Sequence, residues 1–294
     1  MKTSFIDFLN QRYQGDTRLE PIDVGRALSS ECSQLDFVLP GLLTGSVGAL
    51  VAPGGTGKSM FALQLSALIT CGDNSLGIGP VTVGEVAYLS AEDPDCILQR
   101  RLSAIGDLLN FEQKEIMRRN LFFMPLKGAL PNLMQRDWVK QMQSLANEHR
   151  LIIVDTLRRF HQEDENDGGK MTELVSCMES IVSGTDCSLL FIHHTNKQSG
   201  FVGGGDQQYA SRGSSVLVDN IRWQAFLVEM STAEAKRFSI PESHRYQYIR
   251  FGISKANYTA RPVDQWLIRN NEGVLKAIDI YEAFSKGRAR RAAL

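Results

Sequence analysis

Between Ala52 and Ser59 the chain reads Ala-Pro-Gly-Gly-Thr-Gly-Lys-Ser, with an apolar run before it and a helix-period stretch after it. Glycines 54, 55 and 57 let successive backbone N–H groups turn inward around phosphate oxygens. Lys58 adds a point charge for the β- and γ-phosphates, and the Ser59 hydroxyl is a ligand for Mg²⁺. Thr56 and Met60 complete the loop and the first helical turn. Ala52 stands where the strict Walker A pattern has glycine, a small residue that still fits. Arg150 to Asp155 is an apolar run closed by a carboxylate, the composition of a Walker B strand that holds the metal. Glu92 follows the run Val86 to Leu89 and is free to orient or deprotonate an attacking water. Its neighbour Asp93 reads as a helix cap with Pro94 at the first helical position.

A third apolar run, Leu189 to Ile192, ends in His193 and His194. One imidazole there can hydrogen-bond the γ-phosphate and report its loss, and His194 is the preferred one. Zinc is disfavoured, because no Cys or Glu stands at ligand spacing. Arg101 is two turns into the helix after Pro94, where it reaches Glu92 or a phosphate, or is an ordinary surface arginine.

These residues must share one edge, and the pattern supplies it. Strand-like runs at Val47 to Val51, Glu85 to Ser90, Leu121 to Met124, Arg150 to Asp155 and Ser188 to His193 alternate with helix-period stretches. The helices are expected near Lys58 to Thr70, Pro94 to Ile105, Trp138 to Glu148 and Met171 to Ser183. Alternation of this kind predicts an α/β fold, a mostly parallel sheet with helices on both faces. In such sheets the carboxyl ends of the strands face the ligand. After a glycine-rich stretch, strands near Arg222 to Met230, Arg245 to Ser254 and Gln265 to Arg269 are expected to be antiparallel. Residues 1–35 form a separate segment with one short amphipathic helix around Phe5 to Leu9, residues 36–280 the core, and residues 281–294 a basic tail.

With 43% hydrophobic residues the 294-residue chain can bury a substantial core. A net charge of -1 advertises no polyanionic partner, so any nucleic-acid contact rests on local Lys and Arg. Five cysteines, without a Cys-x-x-Cys pair and mostly among apolar neighbours, read as reduced core thiols. There is no membrane-length apolar run and no signal-peptide core, so a soluble cytoplasmic protein is expected.

The loop after His194 carries Lys197, Gly203 to Gly205, Gln207, Gln208, Tyr209 and Arg212, a mix of backbone freedom, amides and cations suited to tracking a phosphate backbone. Arg158, Arg159, Phe160 and His161 form a second basic and aromatic candidate, though the acidic run Glu163 to Glu165 beside it would repel DNA.

Taken in order, Pro-Gly-Gly-Thr-Gly-Lys-Ser, Ala91-Glu92-Asp93, the run Val154 to His161, His193-His194, Gly205 to Gln208, the run Ala210 to Trp223 and the run Arg250 to Tyr258 resemble the plasmid-encoded RepA-type replicative helicases. The similarity spans about residues 35 to 275. It implies a RecA-like P-loop core, a homohexameric ring, ATP and Mg²⁺ as cofactors, and translocation on single-stranded DNA. It further implies that a neighbouring subunit supplies an arginine to the γ-phosphate, with Arg222 the first candidate and Arg250 and Lys255 behind it. The loops after Asp155 and His194 would then face the ring's channel. Two other classes stay open: an ATP-gated DNA-binding regulator without processive unwinding, and a small-molecule phosphotransferase.

Overall fold

The computed structural model describes residues 2–12, 20–31, 34–195 and 215–281. Two helices open it, α1 (Lys2–Arg12) and α2 (Val24–Ser29), followed by an antiparallel ribbon of β1 (Phe37–Leu39) and β2 (Leu42–Leu43). The alternating part runs β3 (Val47–Ala52), α3 (Lys58–Cys71), β4 (Val86–Ser90), α4 (Asp95–Gly106), α5 (Phe111–Asn120), β5 (Leu121–Pro125), α6 (Arg136–Glu148), β6 (Leu151–Asp155), α7 (Gly168–Val182) and β7 (Ser188–His194). After it come α8 (Ser215–Asn220), β8 (Trp223–Glu229), α9 (Thr232–Arg237), β9 (Tyr248–Ala256), β10 (Gln265–Arg269) and β11 (Leu275–Ile278).

The large sheet has nine strands in the order β11-β10-β9-β8-β3-β7-β6-β4-β5. Every residue of β3, β4 and β6 is buried, as expected of strands covered on both faces. Helices α3, α4 and α5 contribute to one apolar cluster, and α6, α7 and α8 to the other. The expected antiparallel arrangement needs one correction. β9, β10 and β11 pair antiparallel, whereas β8 is parallel to β3 on one side and antiparallel to β9 on the other. β8 is therefore the last strand of the parallel half and the first of the hairpin half.

α3 is apolar nearly all round and buried from Met60 to Thr70, the signature of a central helix. Its one amide, Gln64, ties the two halves together. Gln64 Nε2 donates to the Leu275 carbonyl at 2.7 Å, and the Leu275 N–H donates to Gln64 Oε1 at 2.8 Å. These bonds anchor β11 to the helix that begins at Lys58, and so place the β10–β11 turn beside the glycine loop.

The thiols are not all core residues: Cys187 is buried, Cys71 and Cys177 are half-buried and Cys96 is exposed. Among the described residues no helix is long and apolar enough to cross a membrane.

Candidate functional site

The glycine loop leaves β3 at Ala52 and enters α3 through Gly57, whose φ of 100° only glycine adopts without strain. Gly55 is also left-handed, at φ 83°. Lys58 is buried, and its Nζ donates to the carbonyls of Ala52 at 3.0 Å and Pro53 at 2.9 Å. Burial brings its pKa down to about 8, against the opposing pull of Asp155 and Glu92. A desolvated ammonium held by two carbonyls is an environment that an anion would improve.

Asp155 ends β6 and is buried at the same edge, because Ser90 of β4 pairs with Asp155 and Ala52 of β3 with His194. Its Oδ1 accepts from Ser59 Oγ at 3.2 Å and its Oδ2 from the Tyr88 hydroxyl at 2.6 Å. Burial raises the carboxyl's pKa despite those two donors. Ser59 and Asp155 thus form a hard-oxygen pair beside the phosphate loop, which fits Mg²⁺, and a bound Mg²⁺ would neutralise phosphate charge there. Tyr88 gave no signal in the sequence beyond its place in an apolar strand. Its hydroxyl fixes the Asp155 carboxylate from behind.

Glu92 is half-exposed and does not touch Lys58 by hydrogen bond. Its Oε2 accepts from Thr156 Oγ1 at 3.3 Å and lies 3.8 Å from His194 Nε2. His193 is buried, whereas the His194 side chain stays 45% exposed at the cleft. Burial lowers the pKa of both imidazoles, and the Lys58 charge adds to this for His194. Both are therefore neutral near pH 7.

A cleft of about 380 Å³ gathers Lys58, Ser59, Glu92, Arg101 and His194, with Thr156 in its wall. Arg101 is paired with Asp93, Nη1 to Oδ2 at 2.6 Å. This corrects the expected cap: α4 begins at Asp95 with Pro94 as its N-cap, and the Asp93 carboxylate serves Arg101 instead.

Arg269 lines the same cleft and was missed in the sequence. It lies on β10, yet its Nη1 donates to the Gly55 carbonyl at 3.0 Å and its Nη2 to the Tyr246 carbonyl at 2.6 Å. Two hundred and fourteen positions separate it from Gly55, and the pairing of β10 with β9 together with the Gln64–Leu275 anchor brings the hairpin there.

Beyond Asp155 the chain makes a short 3-10 turn, Leu157–Arg159. Arg158 and Arg159 are exposed. Phe160 and His161 are not available for the surface contact expected of them, since both side chains are buried. The acidic run does not project as a block: Glu165 folds back, Oε1 lying 3.6 Å from His161 Nε2 and 3.9 Å from Arg158 Nε. Lys197, Gln207, Gln208 and Arg212 lie outside the described residues.

The three remaining basic candidates do not enter this cleft. Trp223 of β8 pairs with Gly48 near the start of β3, so Arg222 is exposed at the amino edge of the parallel strands. At about 3.3 Å per residue it stands roughly 16 Å from the glycine loop. Lys255 pairs across from Gln224 at that same edge and donates to the Asp219 carbonyl at 3.0 Å. Arg250 is at the other edge but is held by Asp264 at 3.3 Å and Glu234 at 3.7 Å.

The glycine loop, the Ser59–Asp155 pair and Glu92 lie together on one sheet edge, in the arrangement of a P-loop ATPase with a RecA-like fold. A family model described as AAA domain matches residues 15–200, most of the chain, and the protein belongs to that family. Two solved structures are similar. One, "ATPase Domain of G40P", has a TM-score of 0.57 at 14% identity and covers 87% of this chain and 96% of that one. The other, "Crystal structure of the RadB recombinase", has a TM-score of 0.49 at 13% identity, with coverage of 80% and 92%. At such identity the first likeness establishes the fold and nothing finer.

Proposed function

We propose that the protein is an ATP-dependent DNA helicase of plasmid replication, which translocates on single-stranded DNA as a ring of identical subunits. The observation that carries this reading is the position of Glu92. It touches Thr156, the first residue after β6, and approaches His194, the last residue of β7. A hydrolytic carboxylate in contact with the roots of two loops can pass a change at the γ-phosphate to both. Arg158 and Arg159 in the first loop, and Lys197, Gln207, Gln208 and Arg212 in the second, are the assigned nucleic-acid contacts.

Lys58, Ser59, Asp155, Glu92 and His194 are assigned to hydrolysis, with Gly54 to Met60 cradling ATP and Arg101 beside it. Arg222 is assigned as the residue given to a neighbour's γ-phosphate, with Arg250 and Lys255 as further candidates. A second copy is also called for by residues 1–35. Ile22 is 81% and Leu28 85% exposed there, an apolar surface that docking on a neighbouring core of residues 36–280 would cover.

The test is ATP turnover with and without single-stranded DNA, on protein whose mass in solution is measured in the same run. DNA-stimulated turnover by a hexamer supports the motor. A DNA-indifferent monomer overturns it. Stimulation without strand separation on a forked duplex favours the ATP-gated regulator.

A further inference from the structure

Along β4 successive side chains alternate between the two apolar clusters: Val86 and Tyr88 join the one that contains α3, and Ala87 and Leu89 join the other. Tyr88 is thus turned toward α3, and its ring packs on Phe123 of β5 with centroids 5.1 Å apart. The residue is buried, so its hydroxyl must find a partner inside the protein.

That partner is the candidate metal pair. Tyr88 Oη lies 2.6 Å from Asp155 Oδ2 and 3.3 Å from the Ser59 carbonyl oxygen. A phenol has one proton to give, and the shorter contact, to a carboxylate, takes it. Asp155 Oδ1 accepts instead from Ser59 Oγ at 3.2 Å. The two carboxylate oxygens therefore differ. Oδ2 is engaged by a buried hydroxyl, whereas Oδ1 is bonded to Ser59, which lines the nucleotide cleft.

This asymmetry bears on which divalent cation the pair accepts. Mg²⁺ demands a near-octahedral shell with oxygens at about 2.0–2.1 Å, a geometry that suits one oxygen of a carboxylate. Ca²⁺ is larger and more tolerant, and takes a carboxylate through one oxygen or both. We infer that Tyr88 is a positioning residue that sets cation specificity: by holding Asp155 Oδ2 it leaves a single oxygen for the metal, and so favours Mg²⁺ over Ca²⁺. To use both oxygens, Ca²⁺ would have to displace a hydrogen bond in the interior, where water does not replace it. The inference rests on the assignment of Ser59 and Asp155 to the metal and is independent of the nucleic-acid reading.

The experiment measures the affinity of the full chain for a fluorescent ATP analogue at saturating Mg²⁺, at saturating Ca²⁺ and in EDTA, for wild type and Tyr88→Phe. Phenylalanine keeps the ring that packs on Phe123 and deletes only the hydroxyl. A hydrogen bond to a charged group is worth about tenfold or more in an equilibrium constant. Tyr88→Phe is therefore expected to shift the ratio of the two metal-complex affinities about tenfold toward Ca²⁺, with affinity in EDTA unchanged. The proposal is overturned if that ratio stays as in wild type or moves toward Mg²⁺. It is equally overturned if affinity falls by the same factor in all three conditions, because the hydroxyl then serves the folding of the site and not the choice of cation. Wild type that binds the analogue equally well with either cation and in EDTA defeats the metal assignment itself, a pattern seen before any variant is compared.

Discussion

The two edges of the parallel strands differ in how far they are complete. At the carboxyl edge Lys58, Ser59, Tyr88, Asp155, Glu92, Thr156 and His194 contact one another or share one cleft within a single chain. At the amino edge Arg222 and Lys255 stand side by side with no phosphate-binding loop of their own chain in reach. An edge rich in contacts works in cis, whereas an exposed Arg222 and a half-buried Lys255 roughly 16 Å away work on something outside the chain or on nothing. The ring proposed above puts half of an ATP site on each edge, to be joined by a second copy.

Breaking the carboxyl edge should have the largest effect. Lys58→Ala is expected to lower ATP turnover by about a thousandfold or more, since it removes the charge on the transferred phosphate. Glu92→Gln should cost about 10² to 10⁴ in kcat and leave binding of a fluorescent nucleotide nearly intact. A Glu92→Gln variant with wild-type turnover would remove the hydrolytic assignment. The amino edge can be separated from it by mixing. Arg222→Ala alone should lose about 10³ in turnover with nucleotide bound normally. Equal amounts of inactive Lys58→Ala and inactive Arg222→Ala, allowed to exchange subunits, should then regain activity. In such mixtures a Lys58→Ala subunit still offers Arg222 to a neighbour with an intact glycine loop. Absence of recovery in a mixed oligomer would leave Arg222 acting within its own chain or not at all.

The same contrast explains what could be read in advance. The carboxyl edge was legible because local rules wrote it: a strand, a glycine turn and a helix within 25 residues, and apolar runs that end in Asp155 or in His193 and His194. Helix α5 carries an equally local signal, the Asn110 and Gln113 capping box. Three other features were not local. The direction of β8 depends on which strand it meets, and its apolar run is the same for either partner. Phe160 and His161 follow two arginines and read as surface, while the short turn Leu157–Arg159 rotates them into the interior. Tyr88 and Arg269 reach the site through the sheet and through the Gln64–Leu275 anchor, and no spacing in the sequence records either route.

Protonation sharpens the cis half further. Burial disfavours the Lys58 charge and holds its pKa down to about 8 in the nucleotide-free loop, against the pull of Asp155 and Glu92. A bound triphosphate favours the charged form and raises that pKa, so the complex holds a proton that the free protein gives up above about pH 8. ATP binding at pH 8.5 should therefore take up a substantial fraction of a proton, and affinity should fall by as much as about tenfold per pH unit beyond that. Calorimetry in two buffers of different ionisation enthalpy measures the uptake. Release of protons, or none exchanged, would mean that Lys58 is already fully charged in the free loop.

The smallest expected effect tests whether the hairpin half belongs to the site or only borders it. Arg269 crosses from β10 to the Gly55 carbonyl while its guanidinium also lies 3.5 Å from Glu229. A hydrogen bond from a charged donor is worth about 1.5–3 kcal/mol at most, and partial exposure reduces that. Arg269→Ala should accordingly weaken nucleotide binding by about tenfold or less with kcat little changed, since Arg269 holds the loop's backbone and not the reacting phosphate. A fall in kcat with binding unaltered would instead put its guanidinium on the transferred group. The β10–β11 hairpin would then have to be counted as a third contributor to chemistry that the two sheet edges otherwise divide between them.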